Sequence, residues 1–199
     1  LRRVFHDKPK KVIKGIKYYR TARRQSNIVK ENLVNFVDTY NELIKERVLV
    51  QEGYSGVGVQ LQQRNDVIPG LVEVVKGYAG HENKTLVEVI KWRNQSAAAT
   101  TMDEQNQASQ GLNKAMLNFQ QLTEAYPDLK ANTNFLKLQE QLQKIEEDIN
   151  HSRRYYNGTV REYNQSIAVF PKNLIAGRFG FKAEAFFKED DAAHTAPAI

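Results

Sequence analysis

Few residues in this chain have types and spacings that could do chemistry, and most such sets stop short of a working pattern. There is no Cys, which removes thiol nucleophiles, disulfide frameworks and Cys-based zinc sites together. His81-Glu82 begins like a helical zinc motif, but Thr85 stands where the second His is needed. His6, His151 and His194 have no metal-ligand spacing among them. Glu146-Glu147-Asp148 reads as a solvated helix face beside Lys144 and His151, with an iron-attracting patch as the minor alternative. Gly53, Gly56 and Gly58 lack the Lys-Ser/Thr of a phosphate loop, and no strand precedes them. No Gly-x-Ser-x-Gly elbow occurs, and no Ser/His/Asp arrangement recommends itself. The expectation is a protein that is not an enzyme, with no catalytic residue, metal site or cofactor.

Two sets of residues carry interactions rather than reactions. Residues 1–30 hold 11 Lys/Arg against one acid, Asp7, a net of +10, while the remaining chain holds 18 against 22, a net of −4. Lys10, Lys14, Lys17, Arg20 and Arg24 follow one face of a helix, and with Lys11 and Arg23 they form a candidate contact for an anionic membrane surface. Each Lys/Arg near such a surface gains about 1 kcal/mol. Nucleic acid is disfavoured as a partner, since no recognised module is present and Tyr18-Tyr19 is thin support for base stacking. The second set is an Asn beside a Tyr, at Tyr40-Asn41, Tyr156-Asn157 and Tyr163-Asn164. With Tyr156 and Tyr163 in an apolar seam, Asn157, Asn164 and Asn41 are expected to hydrogen-bond between helices and fix their register. A polar ligand cleft is the alternative.

The elements that must position these residues are helices. Phe135, Leu142, Ile149, Tyr156, Tyr163 and Phe170 fall seven residues apart, and Leu138, Ile145, Val160 and Ile167 fill positions three or four on. That is the seam of a helix about 50–55 Å long at 1.5 Å per residue, capped by Asn132 or Thr133 and ended by Pro171. Residues 10–50 read as an earlier helix. Gly53, Gly56 and Gly58 then mark either a loosened helix or a close crossing. Asn65-Asp66 offers a cap for a new helix with Pro69 in its first turn, the alternative being one continuous helix kinked at Pro69. That next helix carries Leu71 through Trp92, and residues 94–111 read as a polar connection. A third helix begins at Leu112 and is closed by Tyr126-Pro127. A Phe-rich tail (Phe179, Phe181, Phe186, Phe187) is expected to pack on the bundle end. The fold class is all-α, a long antiparallel four-helix bundle with an extended basic N-terminal helix. Its expected divisions are a basic arm over 1–30, a bundle over 31–188 and a flexible tail over 189–199. No uncharged run exceeds the 11 residues of 53–63, well short of the ~20 of a spanning helix. No signal peptide is visible, and a start at Leu1 rather than Met reads as a piece of a longer protein.

The set Tyr40-Asn41, Arg64-Asn65-Asp66-Val67-Ile68-Pro69-Gly70-Leu71, Lys76-Gly77-Tyr78, Ala125-Tyr126-Pro127-Asp128-Leu129, Tyr156-Asn157, Tyr163-Asn164 and Phe170-Pro171, in this order, resembles the LemA family. The resemblance covers roughly residues 40–187. It implies a long four-helix bundle, held to a bacterial membrane by one N-terminal spanning helix, with no established enzymatic activity. Where that helix sits in the family, just before Tyr40, this chain has Arg23, Arg24, Lys30, Glu31 and Asp38, so such an anchor is removed, replaced or not used. Gly58 stands where members carry an acid and Gln63 where they carry a base. The long basic extension favours the magnetosome-associated MamQ-type branch. The resulting expectation is a structural or scaffolding protein of a bacterial membrane, its partners an anionic membrane surface and other membrane-associated proteins. The alternative is a soluble binding module for an acidic partner or a metal or mineral surface.

Overall fold

The computed structural model describes residues 8–80 and 83–188, with side chains described from Lys17 onward. Those residues form α1 (Lys8–Ala79), α2 (Lys84–Ala98), α3 (Met102–Glu124), α4 (Pro127–Lys130), α5 (Thr133–Ala168) and α6 (Lys172–Phe179). No strand occurs among the described residues, and the fold is all-α as expected. The chain divides into two compact units. One combines α1 through Lys45 with Ser166–Lys182; the other combines Glu46–Gln165 with the segment from Ala183 onward.

In the second unit α1 and α5 run antiparallel. A Cβ on Gly53 would lie 3.3 Å from the Tyr156 Cα, Arg64 meets Glu146 at 3.5 Å, and Gly70 faces Leu138, so the contact retreats along α5 as α1 advances. At Gly53 the backbones approach so closely that an added Cβ would need them to give by a few tenths of an ångström, whereas Gly56 and Gly58 face open space. Close crossing, not a break in the helix, accounts for the first glycine. α2 and α3 complete a four-helix antiparallel bundle, with Trp92 of α2 packed over Gly111 of α3. The core is filled by Val57, Ile68, Leu71 and Val75 of α1, Leu86 and Val89 of α2, Leu112 and Phe119 of α3, and Ile149, Tyr156, Val160 and Tyr163 of α5. Each large side chain so buried contributes about 1.5–3 kcal/mol before the entropy of ordering is subtracted.

Three boundaries differ from expectation. α1 does not restart at Asn65-Asp66 but runs through Pro69, as the alternative of one continuous helix has it. Proline has no N–H to give to the carbonyl four residues back; here that Asn65 carbonyl accepts instead from Arg93 Nε at 2.7 Å. The expected helix over 71–92 is divided at Gly80, whose φ of +82° is the left-handed geometry that ends helices; its N–H bonds to the Lys76 carbonyl at 3.1 Å. Asn83 then caps α2 by accepting from the Thr85 N–H. Residues 94–111 are not mainly a connection: α2 runs to Ala98, and a reciprocal capping box of Thr101 and Glu104 opens α3. Asn132 caps α5 by accepting from the backbone N–H groups of Asn134 and Phe135. Five members of the seven-residue seam are buried, but Phe170 is 78% exposed because α5 ends at Ala168.

The first unit is built on rings. Phe179 lies 5.9 Å from Phe36 and 5.0 Å from Tyr40, and Phe181 lies 5.8 Å from Tyr40. Lys172 Nζ pairs with Glu42 at 3.1 Å, and Leu43, Ile175 and Ala176 are buried.

Candidate functional site

The Tyr-Asn pairs of α5 do not bond to another helix. They hold the extended segment 183–188. Asn164 Nδ2 donates to the Glu184 carbonyl and Asn164 Oδ1 accepts from the Glu184 N–H, both at 2.9 Å. Asn157 treats Phe187 in the same way, at 3.0 and 2.9 Å. The pitch explains the pairing: seven helical residues rise about 10.5 Å, and three extended residues advance about 10 Å. Between these rungs the Tyr156 hydroxyl donates to the Ala185 carbonyl at 2.8 Å. Burial, with the Glu184 carboxylate and Tyr54 adding to it, pushes the Tyr156 phenol up to about 12. Tyr163 is raised as well, by burial first and then by Glu184, with Arg47 opposing. The Phe187 ring is 2% exposed, stacked 6.1 Å from Tyr54, edge-on to Tyr156 at 5.2 Å and 5.6 Å from the Arg153 guanidinium. Asn41, the third such residue, lies exposed on α1.

Beneath Phe187 sits a buried polar cluster that the sequence reading did not find. Arg64 and Arg153, 1% and 8% exposed, both donate to the Ser109 hydroxyl, Arg64 Nη2 at 3.2 Å and Arg153 Nη2 at 2.8 Å. Arg64 Nη1 also reaches Asn113 Oδ1 and both Glu146 carboxylate oxygens at 3.5 Å. Above the cluster, the buried Asn106 accepts from the Lys188 N–H at 3.3 Å. Chemically this is a charge-assisted clamp that ties α1, α3 and α5 together, and the planar multi-donor guanidinium suits it. The signal was present in the sequence. Val50, Val57, Arg64 and Leu71 are spaced by sevens, and Arg153 falls at the four-on position that Val160 and Ile167 occupy one and two heptads later.

The acidic run is divided by this clamp: Glu146 turns to Arg64 rather than to Lys144 or His151, and Glu147 stays exposed. His151 Nδ1 lies 3.0 Å from Arg154 Nη2. His6, His81, Glu82 and His194 lie outside the described residues. Among the described residues no group of three His, Cys, Asp or Glu could hold a metal ion. Lys17, Arg20, Arg23 and Arg24 are exposed along α1; Lys10, Lys11 and Lys14 belong to that helix, with side chains outside the described set. Among the described residues no helix is long and apolar enough to cross a membrane.

The LemA family model matches residues 53–199. Protein LemA of Metamycoplasma hominis is 27% identical over 160 residues, covering 78% of this chain and 72% of that protein. The matched region takes in the close approach at Gly53, the clamp of Arg64, Ser109 and Arg153, and the Asn157/Asn164 ladder, and it leaves the basic arm outside. On this coverage the chain belongs to the LemA family.

Proposed function

We propose that this protein is a non-enzymatic scaffold of a bacterial membrane, the bundle making protein contacts and the basic helix making anionic-lipid contacts. The LemA family is membrane-associated and is not known as an enzyme family. The observation that carries the reading is the surface of α1 over residues 17–38, where every side chain is exposed. Lys17, Arg20, Arg23 and Arg24 are interleaved there with Tyr18 (79% exposed) and Tyr19 (68%), and Val29, Leu33 and Val34 follow. Cations beside exposed rings and aliphatic groups suit the headgroup boundary of an anionic bilayer. A magnetosome membrane is one such surface, and the length of the basic extension is the feature that favours it.

Vesicle flotation tests this. The chain is expected to float with vesicles containing phosphatidylglycerol, to stay behind with purely zwitterionic ones, and to release as salt rises. Replacing Lys17, Arg20, Arg23 and Arg24 by Gln removes about 1 kcal/mol each, so the fourfold variant is expected to bind at least about a hundredfold more weakly. Binding indifferent to lipid charge, or unchanged in that variant, would overturn the lipid part of the proposal. Equal capture by soluble polyglutamate would move the arm to the alternative, an acidic macromolecular partner.

A further inference from the structure

The segment 183–188 sits on α5 as a bound peptide sits on a receptor. Its two rungs are side-chain amides of Asn157 and Asn164 reading main-chain N–H and C=O groups, which every extended peptide presents. Specificity comes from one socket, the space between Tyr54, Tyr156 and Arg153 that Phe187 fills. Two further main-chain contacts complete the seat, the Ala185 carbonyl accepting from the Tyr156 hydroxyl and the Lys188 N–H donating to Asn106, while the side chains of Glu184, Ala185, Phe186 and Lys188 are exposed. Short extended segments held by side-chain hydrogen bonds and one buried ring are of the kind that open locally at less cost than global unfolding.

We propose that this segment is an exchangeable ligand, and that the groove it vacates takes the same segment from a second copy of the chain. The second copy is the occupant because the complementarity already exists: every copy carries two main-chain rungs at the pitch of the Asn ladder and a ring for the socket. Reciprocal exchange of the segment closes two copies into a dimer, whereas one-way donation is heterologous and propagates unless the rotation closes. The exchange needs no lipid and is independent of membrane binding.

The test uses the full chain in lipid-free buffer and a fluorescein-labelled peptide of residues 182–188. Against the wild-type chain the peptide competes with a tethered segment whose effective concentration is in the millimolar range, so uptake is weak. Phe187→Ala in the chain empties the socket and is expected to raise peptide affinity about tenfold or more. Adding Asn157→Leu and Asn164→Leu to that variant removes the gain. Wild-type copies labelled with donor and acceptor dyes are expected to show energy transfer that grows with concentration and is suppressed by excess peptide. No peptide uptake by a folded Phe187→Ala chain overturns the proposal. Uptake without transfer between copies overturns the second-copy assignment and hands the groove to a segment of some other protein. Should Phe187→Ala fail to fold, amide exchange on the wild-type chain decides. The Glu184 and Phe187 amides are expected to exchange well ahead of the α5 amides, and faster still with excess peptide; protection equal to that of α5 overturns the idea.

Discussion

Tyr156 performs three tasks with one side chain: its ring fills the core seam, the same ring meets Phe187 in a T-shaped contact at 5.2 Å, and its hydroxyl donates to the Ala185 carbonyl at 2.8 Å. The phenol is pushed up to about 12 by burial first and the Glu184 carboxylate second, against about 10 in the unfolded chain. A raised folded value means that the folded state holds the proton more tightly. The stability it contributes is therefore fully present below pH 10 and is lost as pH rises from about 10 towards 12. Tyr156→Phe keeps the ring and removes both the hydrogen bond and the titration. At pH 7 the variant should be less stable by about 0.5–1.5 kcal/mol. Above pH 10 that deficit should shrink, while the alkaline loss due to Tyr163, which is raised in the same direction, is common to both proteins. Thermal melts of both proteins from pH 7 to 11 check this; parallel curves would show that Tyr156 does not titrate as its surroundings demand. At this scale the sequence showed which residues matter but not what they touch. Asn157 and Asn164 stood out beside seam tyrosines, yet their partners lie 30 and 20 residues on, in an irregular segment to which helical periodicity is blind.

Among the elements, α1 is the one whose continuity calls for explanation. Pro69 should break it, and the break is averted by a residue from another helix: Arg93 supplies to the Asn65 carbonyl the donor that proline lacks. Asn65 is buried, at 2% exposure, so its carbonyl depends on this donor for a partner. Arg93→Ala should cost about 1–3 kcal/mol, the penalty for an orphaned buried acceptor. In a Pro69→Ala background the restored N–H can take the Asn65 carbonyl, and the same Arg93→Ala change should then cost less, with a coupling of about 0.5–3 kcal/mol between the two sites. Urea denaturation of the four proteins measures it, and strictly additive effects would show that the Arg93 contact does not compensate the proline. None of this is legible from one sequence, since the compensating residue belongs to a different helix. The opening of α3 is the opposite case. Thr101-x-x-Glu104 is a capping box in plain view, masked by the polar composition that made residues 94–111 read as a connection. Arg64 was equally visible as a cation on a heptad of aliphatic residues, where a charge needs the clamp of Ser109 and Glu146 to be tolerated.

Across the whole chain, periodicity made the all-α class legible, whereas the division of α1 between two compact units was not, because the helical pattern continues through the boundary. What changes along α1 is burial. Every side chain in residues 17–38 is exposed, while Leu43, Val50, Val57, Leu61, Ile68, Leu71 and Val75 are buried at three-, four- and seven-residue steps. Propensity alone holds an isolated helix only marginally, and most helical stability comes from a packed face. Amides in residues 17–38 should therefore exchange through local opening of near-zero free energy, while those in residues 50–75 should approach the global unfolding limit. Deuterium uptake followed peptide by peptide would show two regimes along a single helix. Vesicles containing phosphatidylglycerol should slow exchange in residues 17–38, because bilayer contact gives the unpacked face a partner, and should leave residues 50–75 unchanged. If residues 17–38 are already protected like the core without lipid, their exposed valines and leucines must be covered in solution by another protein surface. If they stay unprotected with lipid while the chain still floats, the membrane contact lies elsewhere than on this helix.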